Sequence, residues 1–314
     1  MAERAAPVCD LSVVIPAYNE AESLPELLER IDEVVRGMGR TYEVWVIDDG
    51  SRDGTFAAVE AVARRLPQVH AVAFPRNFGK AAALSAGFAR TRGRVVITMD
   101  ADLQDDPAEI PRLVAAIEAG SDLVSGWKQD RQDRFIKNQS SRVFNGITAL
   151  MIGLRLHDFN CGLKAYRDEV VRTVRVYGEM HRFIPAMAHL DGFRVTELPV
   201  RHHRRRHGRT KYGPNRFLNG FLDLLTLLFL NSRATSPLHF FGRIGLLMFV
   251  LGSGINGYFL FEWATGHGLR LRPLLLLGVV LFIMAIQFVS LGLMSELIVA
   301  GRHPEREYRV RREF

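Results

Sequence analysis

Cysteine is scarce in this chain of 314 residues, and the two that occur, Cys9 and Cys161, have no spacing typical of metal ligands. A disulfide-stabilised scaffold is therefore not expected, and the composition fits a reducing compartment. The first ten residues lack an apolar core, so we expect no signal peptide. Neither a GxxxxGK(S/T) loop nor a GxGxxG loop follows the first apolar run at 11–16, so those two phosphate-binding loops do not hold a nucleotide here.

Long apolar runs are also missing from the first 200 residues, although apolar residues make up 48% of the chain. That part has the pattern of a soluble α/β protein, whereas the last part contains two long apolar runs. Basic residues are in excess, with a net charge of +7, and they concentrate at 201–212 and 302–312. Such an excess indicates nucleic acid, anionic lipid headgroups or phosphorylated substrates as partners.

Short runs of β-branched and apolar residues alternate with helical patterns through the first part of the chain. Strands are expected at 11–16, 42–47, 69–74, 95–99 and 122–126. The alternation predicts a mostly parallel, Rossmann-like α/β sheet with helices on both faces and right-handed crossovers. The carboxyl ends of such strands meet at one edge of the sheet, which is where ligands bind.

Polar residues follow the ends of the first four strands. The candidate contacts to a nucleotide at this edge are Pro16, Tyr18, Glu20, Asp48, Asp49, Arg76, Gly79, Lys80, Asp100 and Gln104. Carboxylates after the first two strands suit a base and ribose hydroxyls, and Arg76 and Lys80 suit phosphates. For each basic residue taken alone, a solvated loop charge is the alternative.

The fourth strand ends in Asp100-Ala101-Asp102-Leu103-Gln104. Strand alternation puts Asp100 and Asp102 on the same side of the chain. Two carboxylates and an amide oxygen suit a hard divalent cation, Mg²⁺ or Mn²⁺, which can bridge a diphosphate. The candidate metal ligands are therefore Asp100, Asp102 and Gln104. The alternative is a strand end followed by a helix N-cap, because Asp105-Asp106-Pro107 also opens a helix.

Four segments resemble those of the family 2 glycosyltransferases, which are inverting enzymes with the GT-A fold. They are VIPAYNE at 14–20, DDGSRDGT at 48–55, RNFGK at 76–80 and DADLQ at 100–104. The resemblance covers roughly residues 11–215. It implies that Asp48 and Asp49 hold the nucleoside and that Asp100, Asp102 and Gln104 hold the metal and the diphosphate. Asp102 would be the most direct metal ligand and a catalytic residue.

Three further segments resemble the polyprenyl-phosphate branch of this family, which includes dolichol-phosphate mannose synthases and bacterial undecaprenyl-phosphate glucosyltransferases. Two of them are 156–167 and 180–185. The third is the basic stretch 201–212, which resembles a His-x-x-Arg-x-x-Gly-x-Ser-Lys-Tyr pattern with Thr in the Ser position. The implied contacts to an acceptor phosphate are His202, Arg205, Thr210, Lys211 and Tyr212. Arg205 and Lys211 are also candidate catalytic residues, and a solvated basic loop is the alternative.

Asp158, in the first of those segments, is a further catalytic candidate that would contact the sugar or the acceptor. A helix cap or a partner of a nearby arginine is an equally good interpretation.

Apolar segments of two lengths occur in the rest of the chain. Residues 139–154 and 215–232 have helical stripes too short to span a bilayer, so each is either a core-facing helix or a helix in the membrane interface. Residues 244–263 and 274–297 are long enough to span, at roughly 20 residues per crossing. The segments before and after this pair of helices are rich in arginine, which predicts that both segments lie in the cytoplasm. A buried hairpin of a soluble protein is the alternative.

The expected organisation is thus a cytoplasmic GT-A catalytic domain, an interfacial helix, two transmembrane helices and a basic tail, at 1–214, 215–232, 233–300 and 301–314. The chain would be a multi-pass protein of the cytoplasmic membrane. Its predicted reaction moves a hexose from a nucleotide sugar, with UDP-glucose as the first choice and GDP-mannose as the second, to a membrane polyprenyl phosphate. A divalent cation is the expected cofactor. Nucleic acid is not an expected partner, and a homo-oligomer through the membrane helices stays open.

Two other functions remain as alternatives. A processive polysaccharide synthase would carry a Gln-x-x-Arg-Trp motif and more spanning helices, and this sequence has neither. A non-catalytic membrane docking module is the second alternative. The presence of Asp100, Asp102, Arg205 and Lys211 argues against it.

Overall fold

The computed structural model describes residues 8–129, 152–176, 178, 180–203, 237–266 and 273–301. The chain divides into two compact units, 1–227 and 228–314. Several predicted elements lie outside the described residues, namely most of the helix at 139–154, the interfacial helix at 215–232, the basic stretch from 204 onward and the tail after 301.

The first unit contains a seven-stranded sheet in the order β3-β2-β1-β4-β6-β5-β7. The strands are β1 (Cys9–Ala17), β2 (Tyr42–Asp48), β3 (Val69–Ala73), β4 (Gly93–Thr98), β5 (Leu123–Lys128), β6 (Lys164–Arg167) and β7 (Val195–Val200). Strand β6 pairs antiparallel with β4 and with β5, whereas the other neighbours pair in parallel. The amino end of β6 therefore lies at the same edge as the carboxyl ends of the other six strands.

Among the described residues of the first unit, six α-helices accompany this sheet. They are α1 (Leu24–Gly37), α2 (Thr55–Ala63), α3 (Lys80–Phe88), α4 (Ile110–Glu118), α5 (Asp168–Thr173) and α6 (Ile184–Leu190). Two short 3₁₀ helices, Pro107–Glu109 and Met180–Phe183, precede α4 and α6.

Apolar residues are buried on both faces of the sheet. Alternate residues of β1 point to opposite sides, so Val13 and Ile15 belong to one hydrophobic core and Val14 belongs to the other. Helix α1 covers the first core with a stripe at the helical period: Leu24, Leu27, Leu28, Ile31 and Val35. Helices on both faces of a mostly parallel sheet confirm the predicted fold class.

The described part of the second unit contains the long helices α7 (Pro237–Ala264) and α8 (Pro273–Gly301). They pack antiparallel, because the Leu238 amide donates to Glu296 Oε2 at 3.2 Å and the rings of Phe249 and Phe282 lie 5.1 Å apart. Each is long and apolar enough to cross a membrane, and only 17% and 11% of their most apolar windows are buried. Both helices thus turn their apolar surface outward, unlike the core helices of a soluble protein.

Candidate active site

The loop after β2 is braced by the two carboxylates that begin it. Both side chains are buried, and Asp49 accepts hydrogen bonds from the amides of Phe78 and Gly79 at 2.6 and 2.9 Å. Asp48 accepts one from the Ser51 amide at 2.9 Å. These bonds hold the segments 48–55 and 76–80 side by side, a bracing function that the sequence analysis did not anticipate.

Gly50 allows this close approach. Its φ is +74°, and an added Cβ would lie 2.4 Å from the backbone carbon of Arg76. Only glycine fits such a position without strain. The guanidinium of Arg76 in turn lies 4.7 Å from the centre of the Phe78 ring, a cation–π contact.

The loop after β1 is tied to the same segment. The Asn19 amide donates to Ser51 Oγ at 2.8 Å, and the Glu20 amide donates to Thr55 Oγ1 at 2.9 Å. The Glu20 carboxylate accepts a hydrogen bond from Ser23 Oγ at 2.9 Å. The predicted nucleotide contacts at the ends of β1 and β2 therefore lie close together at the carboxyl edge of the sheet.

Asp100 is surrounded by ammonium groups. It forms an ion pair with Lys80, the first residue of α3. Burial alone would raise the pKa of Asp100, but Lys80, Lys128 and Lys164 outweigh it and hold that pKa well below its usual range. Asp100 is therefore a carboxylate at any physiological pH.

Gly162 lies directly against this carboxylate. A Cβ added there would lie 2.5 Å from Asp100 Cγ and 2.5 Å from Oδ2. Such separations are far inside van der Waals contact, so only a residue without a side chain leaves the Asp100 carboxylate in its place.

Asp102 and Gln104 shape the turn that follows. Asp102 is 9% exposed and accepts a hydrogen bond from the Gln104 amide at 3.2 Å. Leu103 between them has a φ of +58°, which is uncommon for a residue with a side chain. The turn fixes the carboxylate and the amide next to the end of β4.

The donor atoms at this turn suit a divalent cation. Carboxylate and amide oxygens are preferred by Mg²⁺, which proteins commonly hold through one or two carboxylates together with substrate phosphates. Within the described part of the chain, no group of three or more His, Cys, Asp or Glu residues is spaced to hold a metal ion alone. The residues of this turn could supply two carboxylates and one amide oxygen to a divalent cation.

A second charged cluster lies beside this turn. Lys128 Nζ at the end of β5 lies 3.1 Å from Asp105 Oδ1, and both side chains are buried. His202 forms an isolated antiparallel bridge with Asp105, and its ring nitrogen Nδ1 lies 3.9 Å from the same carboxylate oxygen. The contact of His202 with an acceptor phosphate stays a prediction, and Arg205, Thr210, Lys211 and Tyr212 lie outside the described residues.

Asp158 is buried in the segment that leads into β6. Its carboxylate accepts a hydrogen bond from the Asn160 amide at 3.0 Å, and its carbonyl oxygen accepts one from Ser125 Oγ at 3.4 Å. These contacts stabilise a turn, and a direct catalytic role of Asp158 stays a prediction. The neighbouring His157 stacks on Trp127, with ring centres 4.0 Å apart.

A small cleft lies beside Asp100 and Gly162. Among the predicted residues it is lined by Pro16, Lys80 and Asp100. Its other polar walls, which the sequence analysis did not name, include Asn160, Lys164 and His181. Asn160 and Lys164 lie in the segment 156–167, which resembles the polyprenyl-phosphate branch. That resemblance was the signal in the sequence that could have identified them.

Two of those added groups have perturbed ionisation. Burial, reinforced by Lys80, lowers the pKa of His181 to about 3, so its imidazole is neutral near pH 7. Burial also lowers the pKa of Lys164, whose ammonium donates to the Cys161 carbonyl oxygen. The cleft therefore combines a neutral imidazole with cationic and anionic groups.

Comparison with known proteins now decides the family. The model of the family described as "Glycosyl transferase family 2" matches residues 12–175. The chain belongs to glycosyl transferase family 2.

Two curated relatives indicate the branch of the family to which this glycosyltransferase belongs. It is 38% identical over 295 residues to the dodecaprenyl-phosphate galacturonate synthase of Rhizobium johnstonii, covering 92% of this chain and 87% of that one. It is 39% identical over 291 residues to the undecaprenyl-phosphate 4-deoxy-4-formamido-L-arabinose transferase of Edwardsiella ictaluri, covering 92% and 88%. The resemblance to the polyprenyl-phosphate branch of the family is thereby confirmed.

Solved structures support the fold. Glucosyl-3-phosphoglycerate synthase of Mycobacterium tuberculosis, in complex with Mn²⁺ and UDP-glucose, superimposes with a TM-score of 0.53 at 21% identity. The match covers 71% of this chain and 79% of that one. At this identity the likeness concerns the fold of the glycosyltransferase, which is the predicted GT-A type.

Proposed function

We propose that this glycosyltransferase moves a sugar from a nucleotide sugar to a polyprenyl phosphate in the membrane, with inversion at the anomeric carbon. The observation that carries the proposal is the cleft at the carboxyl edge of the sheet, lined by Lys80 after β3 and Asp100 after β4, with Asp102 two residues further along the chain. The relatives named above, two transferases whose names specify a polyprenyl phosphate, support the acceptor.

For the donor, we propose a nucleoside diphosphate sugar, with UDP-glucose as the first candidate and GDP-mannose as the second. The likeness to a protein crystallised with UDP-glucose supports a uridine nucleotide. The relatives are named for galacturonate and for a formamido-arabinose, so the sugar must be tested over a panel that includes a uronic acid.

Asp100, Asp102 and Gln104 would hold a divalent cation, Mg²⁺ or Mn²⁺, together with oxygens of the donor diphosphate. When bound, such an ion stabilises the negative charge of the departing nucleoside diphosphate. Lys80 contributes a second positive charge beside Asp100, positioned by the first turn of α3. Asp102 is proposed as the most direct ligand of this ion, and its carboxylate accepts a hydrogen bond from the Gln104 amide.

The acceptor nucleophile is a phosphate oxygen. With a second pKa of about 6, a phosphate monoester is largely ionised near neutrality and needs no strong general base. The protein must then mainly position the two substrates and stabilise charge. Arg205 and Lys211 are proposed as the clamp on the acceptor phosphate, with His202, Thr210 and Tyr212 beside them.

The helices α7 and α8 are proposed to form a transmembrane hairpin, with the catalytic domain at the cytoplasmic face. Their length and outward apolar surface support a spanning arrangement. Arginines flanking the hairpin support the orientation. Deleting residues 233–314 should leave nucleotide binding nearly unchanged and cripple turnover on membrane-embedded acceptor. Loss of nucleotide binding by a folded truncated protein would contradict this division.

The decisive experiment incubates the purified full chain with a short-chain polyprenyl phosphate, a divalent cation and a panel of UDP-glucose, UDP-galacturonate and GDP-mannose. The expected result is a lipid product heavier by one sugar residue, detected by mass spectrometry. A polymeric product would instead support the processive synthase. Intact nucleotide binding without transfer from any donor would support the docking module.

A further inference from the structure

His181 lines the cleft beside Asp100 and carries a ring nitrogen whose hydrogen bonding is incomplete. Its Nδ1 is buried and forms no hydrogen bond with any described residue. The charged groups around it are paired, Lys80 with Asp100 and Lys164 with the Cys161 carbonyl oxygen. A buried polar atom without a partner costs free energy, and such atoms are rare in folded proteins. Because Nδ1 is shielded from bulk solvent, a partner for it has to enter through the cleft.

The short helix Met180–Phe183 fixes the backbone that carries this imidazole. Its first and last residues are buried, and the next residue, Ile184, packs in the same hydrophobic core as Leu84 of α3. Ile184 and Leu84 also line the cleft. His181 therefore projects from a wall that is anchored in the core, which preorganises it for a bound group.

The order of the strands places this cleft at the sugar end of the proposed donor. Along the carboxyl edge, the predicted nucleoside contacts after β1 and β2 lie on one side of β4, and β6 lies on its other side. The proposed diphosphate ligands follow β4 itself. A donor that lies along this edge with its diphosphate at β4 therefore carries its sugar toward β6, whose first residue, Lys164, lines the cleft.

The size of the cleft limits what can reach the imidazole. Its free space is about 10 Å³, roughly the space that one water molecule needs. A sugar ring does not fit, but one hydroxyl group of a sugar lying at the mouth does. A neutral imidazole donates from one nitrogen and accepts at the other, so it can bond a hydroxyl group in either sense.

We propose that His181 is a specificity-determining residue, whose imidazole hydrogen-bonds one hydroxyl group of the donor sugar that reaches into the cleft. This inference rests on the proposed function, which places the donor diphosphate at Asp100 and Asp102. It adds a chemical requirement to that function: at this position the donor carries a hydroxyl group, because a carboxylate or a formamido group exceeds the space of one water molecule.

The first test measures kcat/KM of the wild type, His181→Leu and His181→Asn with UDP-glucose and its monodeoxy analogues, or with the corresponding set for the panel donor that the wild type uses. In the wild type, one analogue should lose about 10- to 100-fold, because the partner of the missing hydroxyl is left unpaired. His181→Leu should lose a similar factor with the parent donor and nothing further with that analogue. His181→Asn should recover part of the loss, because its amide can also bond a hydroxyl group.

The competing account is that the cleft only ever holds a structural water molecule. In that case His181→Leu and the missing hydroxyl would act independently for every analogue, and their factors would multiply. That result would overturn the proposal. The Kd for UDP, which has no sugar, should change less than about threefold in His181→Leu; an equal loss of affinity for UDP would also overturn it.

His189→Leu is the matched control. His189 belongs to α6, which directly follows the short helix, and it is not among the residues that line the cleft. This variant should show the wild-type dependence on each hydroxyl group. The same loss of discrimination in His189→Leu would overturn the assignment to the His181 imidazole.

The second test does not depend on turnover. The imidazole ¹⁵N resonances of His181, assigned by their absence in His181→Asn, are followed with Mg²⁺ and either UDP-glucose or UDP, and likewise with GDP-mannose or GDP. They should shift with one sugar nucleotide and not with its diphosphate. Equal shifts within each pair, or none, would overturn the inference. If the wild-type chain transfers sugar to no polyprenyl phosphate, the proposed function fails, and these resonances still decide whether His181 contacts the sugar.

Discussion

Replacing Gly162 by alanine should impair catalysis far more than it impairs folding. The added Cβ would lie 2.5 Å from Asp100 Cγ, and its nearest contacts are all atoms of that carboxylate. Ordinary contact begins at about 3.4 Å, so the carboxylate has to move by roughly 0.9 Å. Because it is the end of a side chain, it can move without shifting the backbone.

The magnitude follows from this displacement. A misplacement of about 1 Å in a catalytic group costs about 10²-fold in rate, which corresponds to about 2.7 kcal/mol. The carboxylate would also separate from Lys80, with which it is paired. Since Asp100 is partly exposed, the expected loss of folding stability is small, below about 1 kcal/mol.

The assay measures kcat/KM for the donor and the melting temperature of Gly162→Ala side by side. Gly37→Ala serves as control, since a Cβ there meets nothing within 4 Å. It should leave kcat/KM unchanged. Wild-type kcat/KM in Gly162→Ala would refute the reasoning, because it would mean that the position of Asp100 does not matter for transfer.

Three further predictions concern the charged groups. Asp102→Asn should reduce transfer by at least about 10²-fold with folding intact, since it removes a cation ligand; full activity of this variant in the presence of a chelator would exclude the assignment. Arg205→Ala should raise the KM for polyprenyl phosphate or lower kcat, and Arg205→Lys should recover only part of the loss. Arg204→Ala should have a weaker effect, because Arg205 matches the phosphate-binding pattern and Arg204 does not. Equal, mild effects of these variants in detergent would favour a generic anionic-lipid anchor. The lowered pKa of Asp100 adds stability that is fully present above the unfolded-state value of about 3.9 and is lost as the pH falls through the folded-state value; acid unfolding of Asp100→Asn should therefore show a weaker pH dependence below pH 4, and an unchanged profile would contradict it.

The first five strands could be predicted from sequence because each is a short, mostly apolar run, although the edge strand β3 is only partly buried. The expected strand at 11–16, for example, is β1 at Cys9–Ala17. The last two strands carry weaker signals. Strand β6 is only Lys164–Arg167, with a charge at each end, and β7 contains Glu197 and Pro199. Proline is tolerated there because β7 lies at an edge of the sheet.

The placement of Asp48 at the end of β2, and of Asp49, Asp100 and Asp102 just beyond strand ends, was predictable, while their roles stay predictions. The cluster around Asp105 was not, because Lys128 and His202 reach it only through the order of the strands. Periodicity reports which residues are buried, and it carries no information on which distant segments become neighbours. The same limit applies to Gly162. A side chain is excluded there because Asp100 lies against it, and that contact cannot be read from the sequence.

The reversed direction of β6 has a consequence for how this enzyme can diversify. Strand β5 ends at Lys128 and β6 begins at Lys164, and both points lie at the edge that carries the cleft. The chain therefore leaves the sheet after β5 and re-enters it at β6 at this same edge. Changes of sequence or length in this connection before Asp158 can therefore leave the pairing of β5 with β6 intact, whereas Gly162 and Leu163 are constrained by Asp100 and by the Gly126 amide. The strand pairing of the sheet is retained, and the part of the β5–β6 connection before Asp158 is where the sequence can vary.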